Sequence, residues 1–137
     1  MTRAAGDDWC AVFKDRFREV AAALERHYST LDVDPILAEV ADRVEADGLE
    51  AEVRCAITWV INSGEFTAVA EVVQFFGYRF RWAWLRRDVE GILEAKRRER
   101  DLRAIPYFEW VLEAFGDGWE DRDFFPSLLA VGSAEDS

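Results

Sequence analysis

The residues that could do chemistry are few in kind. His27 is the single histidine, and acid–base catalysis near neutral pH most often recruits that side chain. One histidine cannot build a two-histidine metal site, and the residue three before it is Leu24, so the Glu-x-x-His ligand pairs of di-iron bundles are missing. His27 falls beside Leu24 and Leu31 at the edge of an apolar helical face, which predicts a boundary side chain. No Gly-rich phosphate loop, Gly-x-Gly-x-x-Gly or Gly-x-Ser-x-Gly is present, so no cofactor is expected.

Carboxylates are abundant, and the densest group is Asp117, Glu120, Asp121 and Asp123 around Gly118. A calcium loop needs oxygen ligands at positions one, three and five and glycine at six, whereas here Trp119 takes the third position and Gly118 the second. The cluster is expected to favour a helix N-terminus or to form a recognition surface. Glu65, Glu71 and Asp88 could line a bundle pocket that no linear motif reveals, which keeps an enzyme or metal-binding bundle as the rival function class. Cys10 and Cys55 have neither a zinc nor a disulfide-framework spacing. Both fall at apolar helical phases, so buried reduced thiols are expected, with a long-range bridge as the alternative.

Charge segregation says more than any motif. The chain carries −11 in 137 residues. Residues 1–77 hold fifteen acids and seven bases, 78–104 five acids and nine bases, and 105–137 eight acids and one base. An arginine stripe therefore crosses an acidic protein: Arg79, Arg81, Arg86, Arg87, Lys96, Arg97, Arg98, Arg100 and Arg103. Phe80, Trp82 and Trp84 interleave its first part, the mixture of guanidinium and ring faces that nucleic-acid surfaces use. A net-negative protein repels a polyanion at long range, so nucleic acid ranks behind two other readings. In one, the stripe pairs with acidic helices of the fold; in the other, it meets a protein.

The elements that must position these residues are helical. From Trp9 to Leu31, Cys10, Phe13, Phe17, Val20, Ala21, Leu24, Tyr28 and Leu31 recur at steps of three and four. Asp34 before Pro35 reads as an N-cap opening a second helix that stops at Gly48. Val53, Ala56, Ile57, Val60 and Ile61 mark a third, stopping at Gly64. Phe66 to Phe80 fits a helix as well, although its β-formers and Asn62-Ser63-Gly64-Glu65 allow a hairpin around residues 53–76 instead. A helix from Trp82 to Arg103 ends in almost wholly charged turns. Pro106 opens another, stopped by Gly116, and Pro126 opens a short last one. Trp119 and Phe124 can return to the core.

These elements predict an all-α protein: a single irregular bundle of six to seven helices in antiparallel hairpins over 1–131, with a frayed acidic tail at 132–137. A repeat solenoid is the weaker all-α alternative. About two-thirds of the unfolded surface is buried at this mass, enough for one ordinary core. No run is long and apolar enough for a membrane span, and Asp7, Asp8 and Asp15 sit where a signal peptide would be basic and then apolar, so cytoplasm is expected. Arg outnumbers Lys fifteen to two, an association with GC-rich bacterial coding.

A binding protein is preferred over an enzyme: an acidic, aromatic-containing surface that docks a basic protein, such as a toxin or a nucleic-acid-binding protein. The most concrete form is an immunity or antitoxin-like or DNA-mimic inhibitor. The expected partner-binding residues are Asp117, Trp119, Glu120, Asp121, Asp123, Arg79, Arg81, Trp82 and Arg86. Nineteen rings exceed what a small core needs, which also raises a homo-oligomer.

Overall fold

The computed structural model describes residues 8–27, 30–63, 68–116, 119 and 125–128. The protein is all-α, with six α-helices, a 3-10 turn and no strand among the described residues. No helix among them is long and apolar enough to cross a membrane. Contacts divide the chain into two compact units, Met1–Val72 and Val73–Ser137.

In the N-terminal unit, α1 (Trp9–His27) packs against both α2 (Thr30–Asp47) and α3 (Glu50–Asn62). Asp8 caps α1: its carboxylate accepts from the Ala11 N–H at 3.1 Å, satisfying a donor the helix itself leaves open. The buried stripe is Phe13, Phe17, Val20 and Leu24 on α1, Val33, Leu37, Val40 and Val44 on α2, and Val53, Ile57 and Val60 on α3. Gly48 closes α2 at φ +65°, and the next N–H, from Leu49, reaches back to the Val44 carbonyl at 3.1 Å. Leu49 is then buried, which completes a glycine-dependent helix stop.

Two boundaries differ from expectation. The first helix ends at His27 rather than Leu31, and α2 opens at Thr30, which leaves Leu31 57% exposed and Pro35 inside the helix. Proline this near the N-terminus keeps a helical φ and forfeits one backbone bond, so it does not have to mark the first position. Asp34, expected as the cap, is buried. The thiols also differ: Cys10 and Cys55 form a disulfide with Cα atoms 5.8 Å apart. Lys14 and Arg18 of α1 lie over the Trp59 ring of α3, at 5.6 and 4.8 Å. Positions 10 and 55 therefore meet one to two turns earlier on two helices that run parallel.

The boundary between the units falls within α4 (Val69–Phe80), which is helix where the hairpin alternative placed β-formers. Val72, Val73, Phe75 and Phe76 are all buried, and packing of this kind overrides a β-preference. In the C-terminal unit, α5 (Ala83–Glu99) packs against α6 (Ala104–Leu112), which continues into a 3-10 turn at Glu113–Phe115. Gln74, 2% exposed, donates to the Trp110 carbonyl at 2.9 Å. The Phe115 ring lies against Gly77 so closely that a Cβ there would meet Cζ at 2.6 Å.

The charged helix ends at Glu99, four residues before the expected Arg103. Arg100 turns left-handed at φ 58°, its N–H bonding to the Arg97 carbonyl at 3.1 Å while the Asp101 N–H reaches Lys96 at 3.0 Å. The Asp101 carboxylate then accepts from the N–H groups of Arg103 and Ala104 at 3.2 and 3.1 Å. One aspartate thus ends α5 and caps α6, with Pro106 in the first turn as predicted. Leu102, at the tip of this corner, is 81% exposed. Val111 and Phe115 are buried, Phe108 and Leu112 half-buried, and the helix stops at Gly116. A last helical turn covers 126–128; Gly64, Phe124 and the 132–137 tail lie outside the described residues.

Candidate partner-binding surfaces

Of the acidic cluster, Asp117, Glu120, Asp121 and Asp123 lie outside the described residues. Trp119 is described and only 3% exposed. Its ring tilts against Tyr78 at 5.4 Å and stacks near Phe125 at 6.0 Å. As placed, it is a core side chain, and its ring is not offered to a partner.

The arginine stripe has several separate fates. Arg81 sits in left-handed backbone at φ 56° between α4 and α5. Its guanidinium donates to the Phe115 and Gly116 carbonyls at 3.1 and 3.4 Å and covers the Tyr78 ring at 4.9 Å. Those carbonyls end a helical segment, where a cation is favoured. Arg81 therefore ties α4 to the end of α6. Arg79 covers Phe80 at 5.4 Å. Trp82, half-buried, stacks on Phe80 at 4.4 Å and 3° and on Trp84 at 5.2 Å, with Phe76 continuing the ladder. The interleaved rings stack on one another.

Pairing in α5 is largely local. Arg86 bonds Glu90 at 3.1 Å, Lys96 pairs with Glu99 at 3.5 Å, and Arg97 with Glu94 at 3.7 Å. Arg97 also reaches Glu109 of α6 at 3.0 Å. Such exposed pairs contribute about 0.2–1 kcal/mol each. Arg87, Arg98, Arg100 and Arg103 are exposed and have no ion-pair partner among the described residues.

Sequence reasoning missed an open groove of about 580 Å³ between α1 and α2. One wall is Trp9, Val12, Phe13 and Arg16, a single stripe of α1; the other is α2 from Pro35 to Ala46. Arg16 is held by Glu39 at 2.8 Å and Glu19 at 3.0 Å. Arg43 pairs with Asp47 at 3.1 Å and covers Trp9 at 5.6 Å. The pairings 16 with 39 and 9 with 43 show that α1 and α2 run antiparallel. The signal was present in the sequence: Trp9 and Val12 are apolar residues of α1 off its predicted core stripe, and Val12 is 41% exposed.

The residues proposed for catalysis are not gathered by any feature among the described residues. Glu65 and the His27 side chain lie outside the description, and Asp88 is half-buried on α5. Burial raises the pKa of Glu71, in the first turn of α4, from its ordinary value; a backbone hydrogen bond partly offsets this. No cluster of three or more His, Cys, Asp or Glu that could hold a metal occurs among the described residues. Set against known families, curated proteins and solved structures, the chain matches none.

Proposed function

We propose that the protein is a non-enzymatic binding protein whose acidic N-terminal unit docks a basic protein. The observation that carries this reading is the charge division between the two units. Fifteen acids face seven bases through Val72, a net −8, while thirteen acids face ten bases beyond it, a net −3. Carboxylates such as Asp32, Glu39, Asp42, Glu45 and Glu50 lie exposed on α2 and α3. A field of one sign speeds encounter with an opposite surface and repels like-charged competitors. An inhibitor of a basic toxin, or a DNA mimic that blocks a nucleic-acid-binding protein, is the most concrete form of this function.

The test immobilises the whole protein beside a variant carrying Glu39→Gln, Asp42→Asn, Glu45→Gln and Glu50→Gln. Basic proteins captured from a bacterial lysate should be released by salt and be depleted on the neutralised variant. Equal capture on both would end the reading. The Cys10–Cys55 bridge weighs against the cytoplasm expected from the sequence, since disulfides persist mainly in oxidising compartments. Thiol trapping in cells decides where we place the protein: a bridge found reduced favours cytoplasm.

A further inference from the structure

We infer that the exposed stripe of α6 pairs in antiparallel register with the same stripe of a second copy of this chain, giving a two-fold dimer through the C-terminal unit. This goes beyond the docking reading and stands whether or not the acidic unit meets a basic protein. The first observation is the composition of α6 set against its burial. Ala104–Leu112 contains one charged residue, Glu109, yet only Val111 is buried. An apolar stripe is normally hidden, as α3 hides Val53, Ala56, Ile57 and Val60. Here Leu102, just before the helix, and Pro106 are exposed, and Ile105, Trp110 and Leu112 are half-buried.

The second observation is the order of charges along the exposed face. Arg103, Pro106, Trp110 and Glu113 recur at steps of three, four and three, the spacing of a helix–helix seam. Arg103 is the N-cap residue of α6 and Glu113 its C-cap residue. Both are exposed, and neither has an ion-pair partner among the described residues. A helix's own dipole favours the opposite order, acids at the start and bases at the end, so this placement works against α6 alone.

A two-fold axis turns that order into a match. Antiparallel alignment sets Arg103 opposite the second copy's Glu113 at each end of the seam, with Pro106 opposite the second copy's Trp110 between them. An isologous contact has to be self-complementary, and this stripe is. A partner of one sign, basic or acidic, meets a like charge at one end. Glu109, the remaining charge, is already held by Arg97 at 3.0 Å. From Arg103 to Glu113 the seam runs about 15 Å at helical rise. That is short beside a standard interface, so a dissociation constant on the order of 100 µM is expected.

Sedimentation of the full-length protein from about 10 µM to about 1 mM tests the pairing, and the average mass should rise toward twice that of the monomer. Arg103→Glu sets acid against acid at both ends of the seam, and Glu113→Arg sets base against base. Each should weaken the dimer by about tenfold or more. Both positions are exposed and both changes suit the helix dipole, so neither variant's dilute monomer should melt below the native one. Mixed together, the two variants are complementary at both ends and should form a mixed dimer at least as tight as the native one. A protein that stays monomeric through the whole range overturns the inference. A dimer that both reversals leave intact overturns it too, by placing the contact on another surface. Failure of the two weakened variants to pair with each other would rule out the antiparallel register.

Discussion

The two units meet the same demand, holding amphipathic helices in place, by different means. The N-terminal unit relies on a mostly aliphatic stripe around Phe13 and Phe17, a covalent tie between α1 and α3, and a glycine where the backbone must turn left-handed. The C-terminal unit holds thirteen of the nineteen aromatic rings. It turns left-handed at Arg81 and Arg100, residues whose Cβ makes that conformation costly by roughly 1–2 kcal/mol. Strain in one unit and a cross-link in the other imply different responses to the same perturbation. Reductant should act on the first unit, and changes in ring packing or backbone on the second.

The largest effect is expected from the bridge. Closing a loop of 45 positions removes unfolded-state entropy, about 4 kcal/mol in the chain-entropy model. Cys10→Ser with Cys55→Ser should lose up to that amount in guanidinium unfolding. Hydrogen exchange locates the loss: amides of α1 and α3 should lose protection while those of α5 and α6 keep theirs. Equal loss in both sets would show that the units unfold together and would break the comparison.

Next is the aromatic side of the contrast. Gly77→Ala places a methyl 2.6 Å from Phe115 Cζ, with the adjacent ring atoms at 2.8 and 3.0 Å. A ring in a packed core has little room to retreat, so a loss of about 1–3 kcal/mol is expected, with near-ultraviolet circular dichroism reporting a moved aromatic. Reducing the disulfide should not alter that increment, because the substitution and the bridge lie in different units.

The two left-handed arginines sharpen the contrast further, since glycine should act on them in opposite directions. At Arg100, exposed and without an ion-pair partner among the described residues, Arg100→Gly relieves the backbone and should gain about 0.5–1 kcal/mol. At Arg81, glycine relieves the same strain but forfeits hydrogen bonds from a charged donor to two carbonyls, each worth about 1.5–3 kcal/mol. Arg81→Gly should therefore lose stability, and Arg81→Ala, which keeps the strain and loses the bonds, should lose about 1 kcal/mol more. Paired thermal melts give both signs.

What could be read from the sequence was whatever repeats locally. Phe13, Phe17 and Val20, or Val53, Ala56 and Val60, carry the helical period in the order of the residues, and Gly48 marks a stop through its own left-handed backbone. Joints set by side chains reaching elsewhere were not legible. Asp101 caps α6 while Arg100 takes a conformation usual for glycine, and nothing in Glu99-Arg100-Asp101 announces a break in a charged helix. The disulfide depends on α1 and α3 running parallel, a tertiary fact that a 45-residue spacing does not contain. The groove was half legible: Trp9 and Val12 stood off the core stripe, but its far wall comes from another helix. Trp119 reads from the sequence both as a return to the core and as an anchor beside carboxylates, and its 3% exposure against Tyr78 and Phe125 fits the first.

The smallest expected effect tests α4, the helix that both units share. Burial raises the Glu71 pKa in the folded protein, so the native state holds its proton to a higher pH than the unfolded chain does. Stability from this group is present in full below the unfolded value and is lost as pH rises through the folded one. At neutral pH the ionised carboxylate is thus a cost. Glu71→Gln removes the charge and nearly keeps the shape, so the variant should melt above the native protein at neutral pH. The gap should close as pH falls toward the ordinary glutamate pKa of about 4.3. A gap independent of pH would mean that the substitution acts through packing and not through desolvation.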